Sequence, residues 1–153
     1  NNSIKICSGY LPGLVGRVAE MHAVFYSRHS GFGQFFESQV ASGVAEFVAR
    51  LNEPCNHIWV AIQDNRIVGS IAIDGQLILD GGCRGGGVGR RLLAEAVAFC
   101  DQIGFTEIQL WTFKGLDAAR RLYESFGFVL VHEEEGNQWG STVIEQQFIR
   151  LTK

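Results

Sequence analysis

A glycine run that passes directly into an amphipathic helix is the feature that most constrains this chain. Residues 83–93 read Cys-Arg-Gly-Gly-Gly-Val-Gly-Arg-Arg-Leu-Leu. Glycines let a ligand approach the backbone with no Cβ in the way, and they take positive φ at little cost. The N–H groups of a helix's first turn point out of its end, backed by roughly half a positive charge from the aligned peptide dipoles. Arg84 opens the turn and Arg90 and Arg91 follow it, so the junction is cationic in a chain of formal net charge -3. A plain flexible linker before a helix is the competing reading.

Two familiar glycine loops do not fit. A P-loop ends in Gly-Lys-Ser/Thr, whereas Gly89 is followed by Arg90-Arg91, with no hydroxyl for magnesium. A dinucleotide fingerprint needs G-x-G-x-x-G and an acidic residue about 20 residues on, at the end of the next strand. The spacing here is Arg84-x-x-Gly87-x-Gly89, and the strand near Ile108-Gln109-Leu110 ends without a carboxylate. The expected ligand is a pyrophosphate held by backbone, with no metal and no recognised ribose diol.

At 153 residues, the chain is expected to form a single domain over residues 1–153 with a full hydrophobic core. No window approaches the 18 or more apolar residues of a membrane span, and residues 1–30 lack the layout of a signal peptide. Cys7, Cys55, Cys83 and Cys100 are widely spaced and form no C-x-x-C pair, so reduced thiols and a cytoplasmic setting are expected. Thirteen basic against sixteen acidic residues give no reason to expect nucleic acid.

Apolar periodicity sets the element order. A short strand is expected at 4–8, then a helix with Pro12 at its first position and Leu14, Val18, Met21 and Phe25 on one face. Ser30-Gly31 breaks it, and a second helix presents Phe36, Val40, Val44, Phe47, Val48 and Leu51. Strands at 57–63 and 66–73 are joined by Asp64-Asn65, a hairpin signal. A very short strand at 77–80 leads into the glycine turn. The third helix buries Val88, Leu92, Ala96, Phe99 and Ile103 and stops at Gly104. A strand at 106–113, a fourth helix marked by Leu116, Ala119, Leu122, Tyr123 and Phe126, and a hairpin of 128–134 with 142–150 around Gly136-Asn137 complete the chain. The order β-α-α-β-β-β-α-β-α-β-β implies an α/β fold, a mixed, mostly antiparallel sheet with helices on both faces.

With these segments in place, the chain resembles the GCN5-related N-acetyltransferase (GNAT) family over nearly its whole length. Leu77-x-Leu79 followed by Arg84-x-x-Gly87-x-Gly89 is similar to the family's acyl-CoA pyrophosphate loop. Residues 119–128, Ala-Arg-Arg-Leu-Tyr-Glu-Ser-Phe-Gly-Phe, are similar to its A-x-x-L-Y-x-x-x-G-F stretch, and the paired helices after the first strand match its usual acceptor pocket. Residues 110–113 and 140–150 also look like the acetyltransferase half of bacterial regulator–acetyltransferase fusions.

The resemblance implies an acyl-CoA N-acyltransferase fold with acetyl-CoA as cosubstrate and no metal. It places Leu77, Leu79, Arg84, Gly85, Gly86, Gly87, Val88, Gly89 and Arg90 at the cofactor. The fourth strand splays from the fifth in the family, and the pantetheine arm pairs with the exposed edge like an added strand. A backbone N–H near Leu79 would then face the thioester oxygen as it becomes an oxyanion, a type of contact worth roughly 3–4 kcal/mol. Tyr123 matches the tyrosine that protonates the departing thiolate; spacing alone favours reading it as a half-buried core aromatic. The partner implied is a small-molecule or peptide amine, with no nucleic acid and no membrane. A homodimer through the C-terminal strands, with Trp139 near the contact, follows by analogy only.

An amine of pKa about 10.4 must lose a proton at pH 7, which costs about 4.6 kcal/mol. His22, His29, Asp80, His132 and Glu133 are candidates to take it, and periodicity selects none of them. The chain departs from the family pattern at Leu116, where an asparagine is usual, at Gly81, where a proline is common, and in the brevity of its fourth strand. An acyl-CoA-binding regulatory module without significant turnover therefore stands beside the enzyme as the alternative. A nucleotide-binding protein of another class is a more distant third.

Overall fold

The computed structural model describes residues 3–75, 78–82, 87–137 and 139–152, with backbone alone at 78–82. Among the described residues seven strands and four helices follow in the expected order: β1 (Lys5–Ser8), α1 (Leu14–Ser30), α2 (Gln34–Ala49), β2 (His57–Gln63), β3 (Arg66–Asp74), β4 (Ile78–Gly82), α3 (Val88–Ile103), β5 (Glu107–Phe113), α4 (Asp117–Ser125), β6 (Val129–Gly136) and β7 (Val143–Leu151). The strands form one sheet in the order β1-β2-β3-β4-β5-β7-β6. Every neighbouring pair is antiparallel except β4 with β5.

Strand alternation distributes the apolar residues to both faces. Trp59, Ala61, Ile71, Ile73, Ile108, Leu110 and Phe148 meet α3 and α4 through Leu92, Leu93, Ala96, Cys100 and Tyr123. Ile58, Val60 and Ile67 meet α1 through Leu14 and Val18. A Cβ on Gly69 would stand 3.2 Å from both Leu92 Cδ1 and Val88 Cγ1, so a glycine in β3 lets α3 sit close against the sheet. Burial of the Cys100 thiol, with Asp101 adding to it, pushes its pKa up to about 12. Cys7, Cys55 and Cys100 are free, and Cys83 lies outside the described residues.

Several boundaries differ from the sequence expectation. Pro12 lies ahead of α1, whose N-cap is Gly13 at φ 92; the left-handed turn there, not the proline, starts the helix. β4 is described from Ile78, the expected start at Leu77 lying outside the described residues, and runs on through Gly81 and Gly82, which pair with Ile71 and Ser70 of β3. Two glycines that read as loop are therefore strand. β6 extends to Gly136, paired with Val143, so the hairpin loop is 137–142. Asp64 and Asn65 take φ 53 and 62, the paired left-handed conformation of the tight hairpin turn.

One buried side chain ties the end of α2 to the β3–β4 turn. Asn56, 3% exposed, donates to the Arg50 carbonyl at 2.9 Å and to Glu53 at 3.0 Å, and its Oδ1 accepts the Gly75 N–H at 2.6 Å. A Cβ on Gly75 would meet Cys55 Cβ at 2.8 Å, so only glycine fits that approach. Asn56→Ala leaves two part-buried backbone groups without this partner and should destabilise the fold by about 1–3 kcal/mol in urea denaturation. A loss under about 0.5 kcal/mol would mean that the turn is held by other contacts.

His57 packs against Trp59 and Phe99 with ring centroids 4.4 and 5.2 Å away, and burial holds its pKa below the ordinary value. The unfolded chain thus takes up this proton more readily than the folded one, and stability falls as pH drops through the unfolded value. Thermal midpoints taken between about pH 7 and 5 should fall less steeply in His57→Gln than in wild type. Equal slopes would remove His57 as a source of acid sensitivity.

Candidate functional site

The sheet opens at its centre. β4 pairs with β5 at Ile78↔Gln109 and Leu79↔Leu110 and at no later position. Beyond that point residues 80–82 stay with β3, while Trp111, Thr112 and Phe113 stay with β7. Two parallel strands that part in this way leave facing backbone edges available for another extended chain.

The N-terminus of α3 follows directly on β4. Its first helical bond runs from the Arg91 N–H to the Gly87 carbonyl at 3.0 Å, so the N–H groups of Val88, Gly89 and Arg90 have no helical acceptor. No acidic residue lies in this first turn. Gly87 is exposed, with nothing within 4 Å of the position a Cβ would take, and its φ of -81 is ordinary helical backbone. Openness to a ligand, and not positive φ, is what glycine contributes there. Val88 and Gly89 are buried, and the Val88 side chain belongs to the core, so only backbone is available from these two residues. Arg90 lies over the Phe126 ring at 5.6 Å, and Arg91 donates to the Ile4 carbonyl at 2.8 Å. Leu79 takes part as backbone in the last β4–β5 pair. Leu77, Arg84, Gly85 and Gly86 lie outside the described residues.

A cavity of about 550 Å³ lies between β5, α4 and the α1–α2 pair. Leu110, Trp111, Thr112 and Phe113 form its sheet side, and Tyr123 of α4 contributes to its wall. Tyr123 is 8% exposed, with ring contacts to Phe128 and Phe148 at 6.1 and 6.2 Å. It is therefore at once a core aromatic and a cavity residue. The same cavity has an aromatic wall in which Tyr26, Phe36, Phe113 and Trp139 contact one another at 5.2–6.3 Å. Phe32 and Phe36 are core and Phe35 is exposed; Tyr26 and Phe36 line the cavity, while Phe32 does not. Trp139 packs inward on Phe36 and Phe113.

A second cavity of about 490 Å³ adjoins the first beneath α2 and shares His22, Gln39, Gly43 and Val44 with it. Arg50 closes its far side, donating to Asp74 at 2.9 Å and to Glu46; these carboxylates, Asp74 first, raise the pKa of its guanidinium. α2 spans these cavities, which explains why Phe36 alone of its expected apolar stripe is fully buried.

Sequence reasoning missed Gly43 and the β5 residues that form the sheet side of the larger cavity. It also missed Glu145, 8% exposed, in a smaller cavity of about 400 Å³ with Trp111, Phe113 and Glu134. The available signal was polar Glu145-Gln146 inside an otherwise apolar strand. Leu116 caps α4 without a side-chain hydrogen bond. Among the described residues no group of three or more His, Cys, Asp or Glu could hold a metal ion, and no helix is long and apolar enough to cross a membrane.

Residues 22–128 match the model of the Acetyltransferase (GNAT) family. Compared individually with proteins of curated function, the sequence matches none. Among solved structures, yncA of Salmonella typhimurium, determined with its cofactor acetyl-CoA, is similar at 15% identity and a TM-score of 0.73, covering 99% of this chain and 95% of the other. An acetyltransferase of the GNAT family from Streptococcus pneumoniae is similar at 18% identity and 0.67, covering 99% and 100%. An N-acetyltransferase from Staphylococcus aureus is similar at 11% and 0.73, covering 99% of each chain. At these identities the likeness is one of fold.

Proposed function

The chain belongs to the acetyltransferase (GNAT) family, and from that premise we propose that it is an N-acetyltransferase. In this reading an amine acceptor attacks the thioester of acetyl-CoA directly and takes its acetyl group. The observation that carries the reading is the opening between β4 and β5, which lies beside a cavity lined by Leu110 and Tyr123. Its backbone edges suit the amide groups of a pantetheine arm. The orphan N–H groups at the start of α3 suit a pyrophosphate, and the exposed Gly87 leaves the approach clear. The backbone N–H near Leu79 would stabilise the oxyanion, and the phenol of Tyr123 would protonate the departing thiolate. The amine, from a small molecule or a peptide, enters through the cavities under α2.

The cytoplasm as compartment, and a homodimer, belong to the same reading. Val129 and Val131 on the edge strand and Leu151 at the end of β7 are 62, 52 and 67% exposed, an apolar margin suited to a second copy. Leu116, which has no amide to offer at the start of α4, favours the alternative of a module that holds acyl-CoA without turnover. Release of coenzyme A thiol in the presence of a panel of primary amines separates the two. Amine-dependent release supports the enzyme, and binding without release supports the module.

Tyr123→Phe should lower kcat by about 10²-fold or more while acetyl-CoA affinity stays near wild type. An unchanged kcat would reduce Tyr123 to a core residue. Gly43→Leu should fill the wall between the two cavities; nothing lies within 4 Å of the Cβ position, and Gly43 sits inside helix α2. The variant should be as stable as wild type or more so, by up to about 1 kcal/mol, with KM for the amine raised at least about tenfold and KM for acetyl-CoA unchanged. An unchanged amine KM would place the acceptor elsewhere.

A further inference from the structure

We propose that His22 is the general base that deprotonates the acceptor amine, acting through its Nε2; the assignment rests on the acetyltransferase reading above. The hydrogen bond to the ring comes first in the argument. His22 Nδ1 lies 2.8 Å from the Val18 carbonyl oxygen, one turn back on α1. A carbonyl can only accept, so Nδ1 carries the proton and the lone pair of the neutral ring is on Nε2. The backbone therefore holds the imidazole in the tautomer a base needs.

Location is the second element. His22 lines both cavities: the larger one, which Tyr123 also lines, and the groove beneath α2. One cavity can present the ammonium of the acceptor, and the other leads the accepted proton to water.

The alternatives are placed less well. His29 lines the larger cavity, but it is exposed and its Nδ1 bonds the Ser30 hydroxyl at 3.0 Å, a partner that can donate or accept and so fixes no tautomer. His132 is exposed, stands 3.4 Å from Glu134 and lines neither cavity. Glu133 accepts from Gln146 at 2.7 Å and likewise lines neither cavity. The Asp80 side chain lies outside the described residues. In the groove, Glu46 and Asp74 are bound to Arg50. Tyr26, Asp117 and Tyr123 complete the titratable groups in the larger cavity; Asp117 is exposed and Tyr123 stands on the thiolate side.

The proton balance closes. The ammonium gives one proton to Nε2, and the freed lone pair attacks the thioester carbon. The C–N bond forms and the C–S bond breaks. Tyr123 protonates the thiolate, and the second proton on the acceptor nitrogen restores the phenol as the amide forms. The imidazolium then releases its proton to solvent, giving one amide, one thiol and one proton in all.

The test uses His22→Asn, whose amide nitrogen can still donate to the Val18 carbonyl, together with His22→Ala assayed with and without added imidazole. Acetyl-CoA affinity is measured alongside. The proposal predicts that His22→Asn loses about 10²-fold or more in kcat/KM for the amine. It should also lose the acid limb of the pH profile while binding acetyl-CoA normally, and imidazole should restore turnover to His22→Ala. Turnover in His22→Asn within about threefold of wild type, or an acid limb that persists in it, would overturn the role of His22 and leave the acetyltransferase reading intact. Failure of wild type to turn over any amine would remove that reading, and the base with it.

Discussion

Among the described residues two rungs of parallel pairing join β4 to β5, and the site depends on there being none beyond Leu79 and Leu110. Full pairing would bury every backbone group of both strands in ladder bonds and leave a continuous sheet. Here the ladder stops at Leu79 and Leu110, so the opening stands at the middle of the sheet. Each arm is secured from its outer side: β4 by five pairs with β3, β5 by seven with β7. The core under α3 and α4 crosses the gap, since Ile73 on one arm and Leu110 and Phe148 on the other belong to the same cluster. The edges can therefore stay parted without the two halves separating. Backbone left unpaired in this way has affinity for an extended polar arm, which a closed sheet would lack.

The second constraint is the stance of α2. A helix laid flat on the sheet would bury its whole apolar stripe, at roughly 1.5–3 kcal/mol per large side chain. α2 buries only Phe36 and leaves Val44, Phe47 and Val48 half-buried over space. Gly43, which lines both cavities, costs about a further 1 kcal/mol against alanine and leaves open the space a side chain would take there. Asn56 fixes the far end of the helix to the β3–β4 turn, so the groove has a defined floor and a defined end. Stability forgone at α2 gives the protein room for a ligand, and the two cavities share His22 as their common wall.

Most of the fold was legible because its signals are local. The Asp64-Asn65 turn, the Gly104 stop after α3 and the two-period and helical spacings each encode one element, and all eleven elements appear in order. Boundaries failed where a long-range partner overrode local chemistry. Gly81 and Gly82 read as loop, yet β3 offers them ladder bonds; Gly136 is strand because Val143 faces it. The site was legible in part. Its sequence signal carried Gly87, Val88, Gly89 and Arg90 to a helix N-terminus, but only the structure distinguishes the Val88 backbone from its core side chain. Tyr123 could not be divided between core and cavity by spacing, since it belongs to both. Gly43 carries no local signature, and His22 is one of five candidate bases among which spacing does not choose. Their importance comes from helix packing and from a tautomer set by a carbonyl four residues earlier.

The central claim is that the opened strands and the α3 N-terminus form a coenzyme A site, and calorimetric titration with acetyl-CoA tests it most directly. ATP and NAD serve as controls that carry a pyrophosphate without a pantetheine arm. The account predicts micromolar binding selective for acetyl-CoA, since both the backbone edges and the helix terminus contribute. Absence of binding, or equal binding of ATP, would contradict it and reduce the opening between β4 and β5 to an irregularity of the sheet.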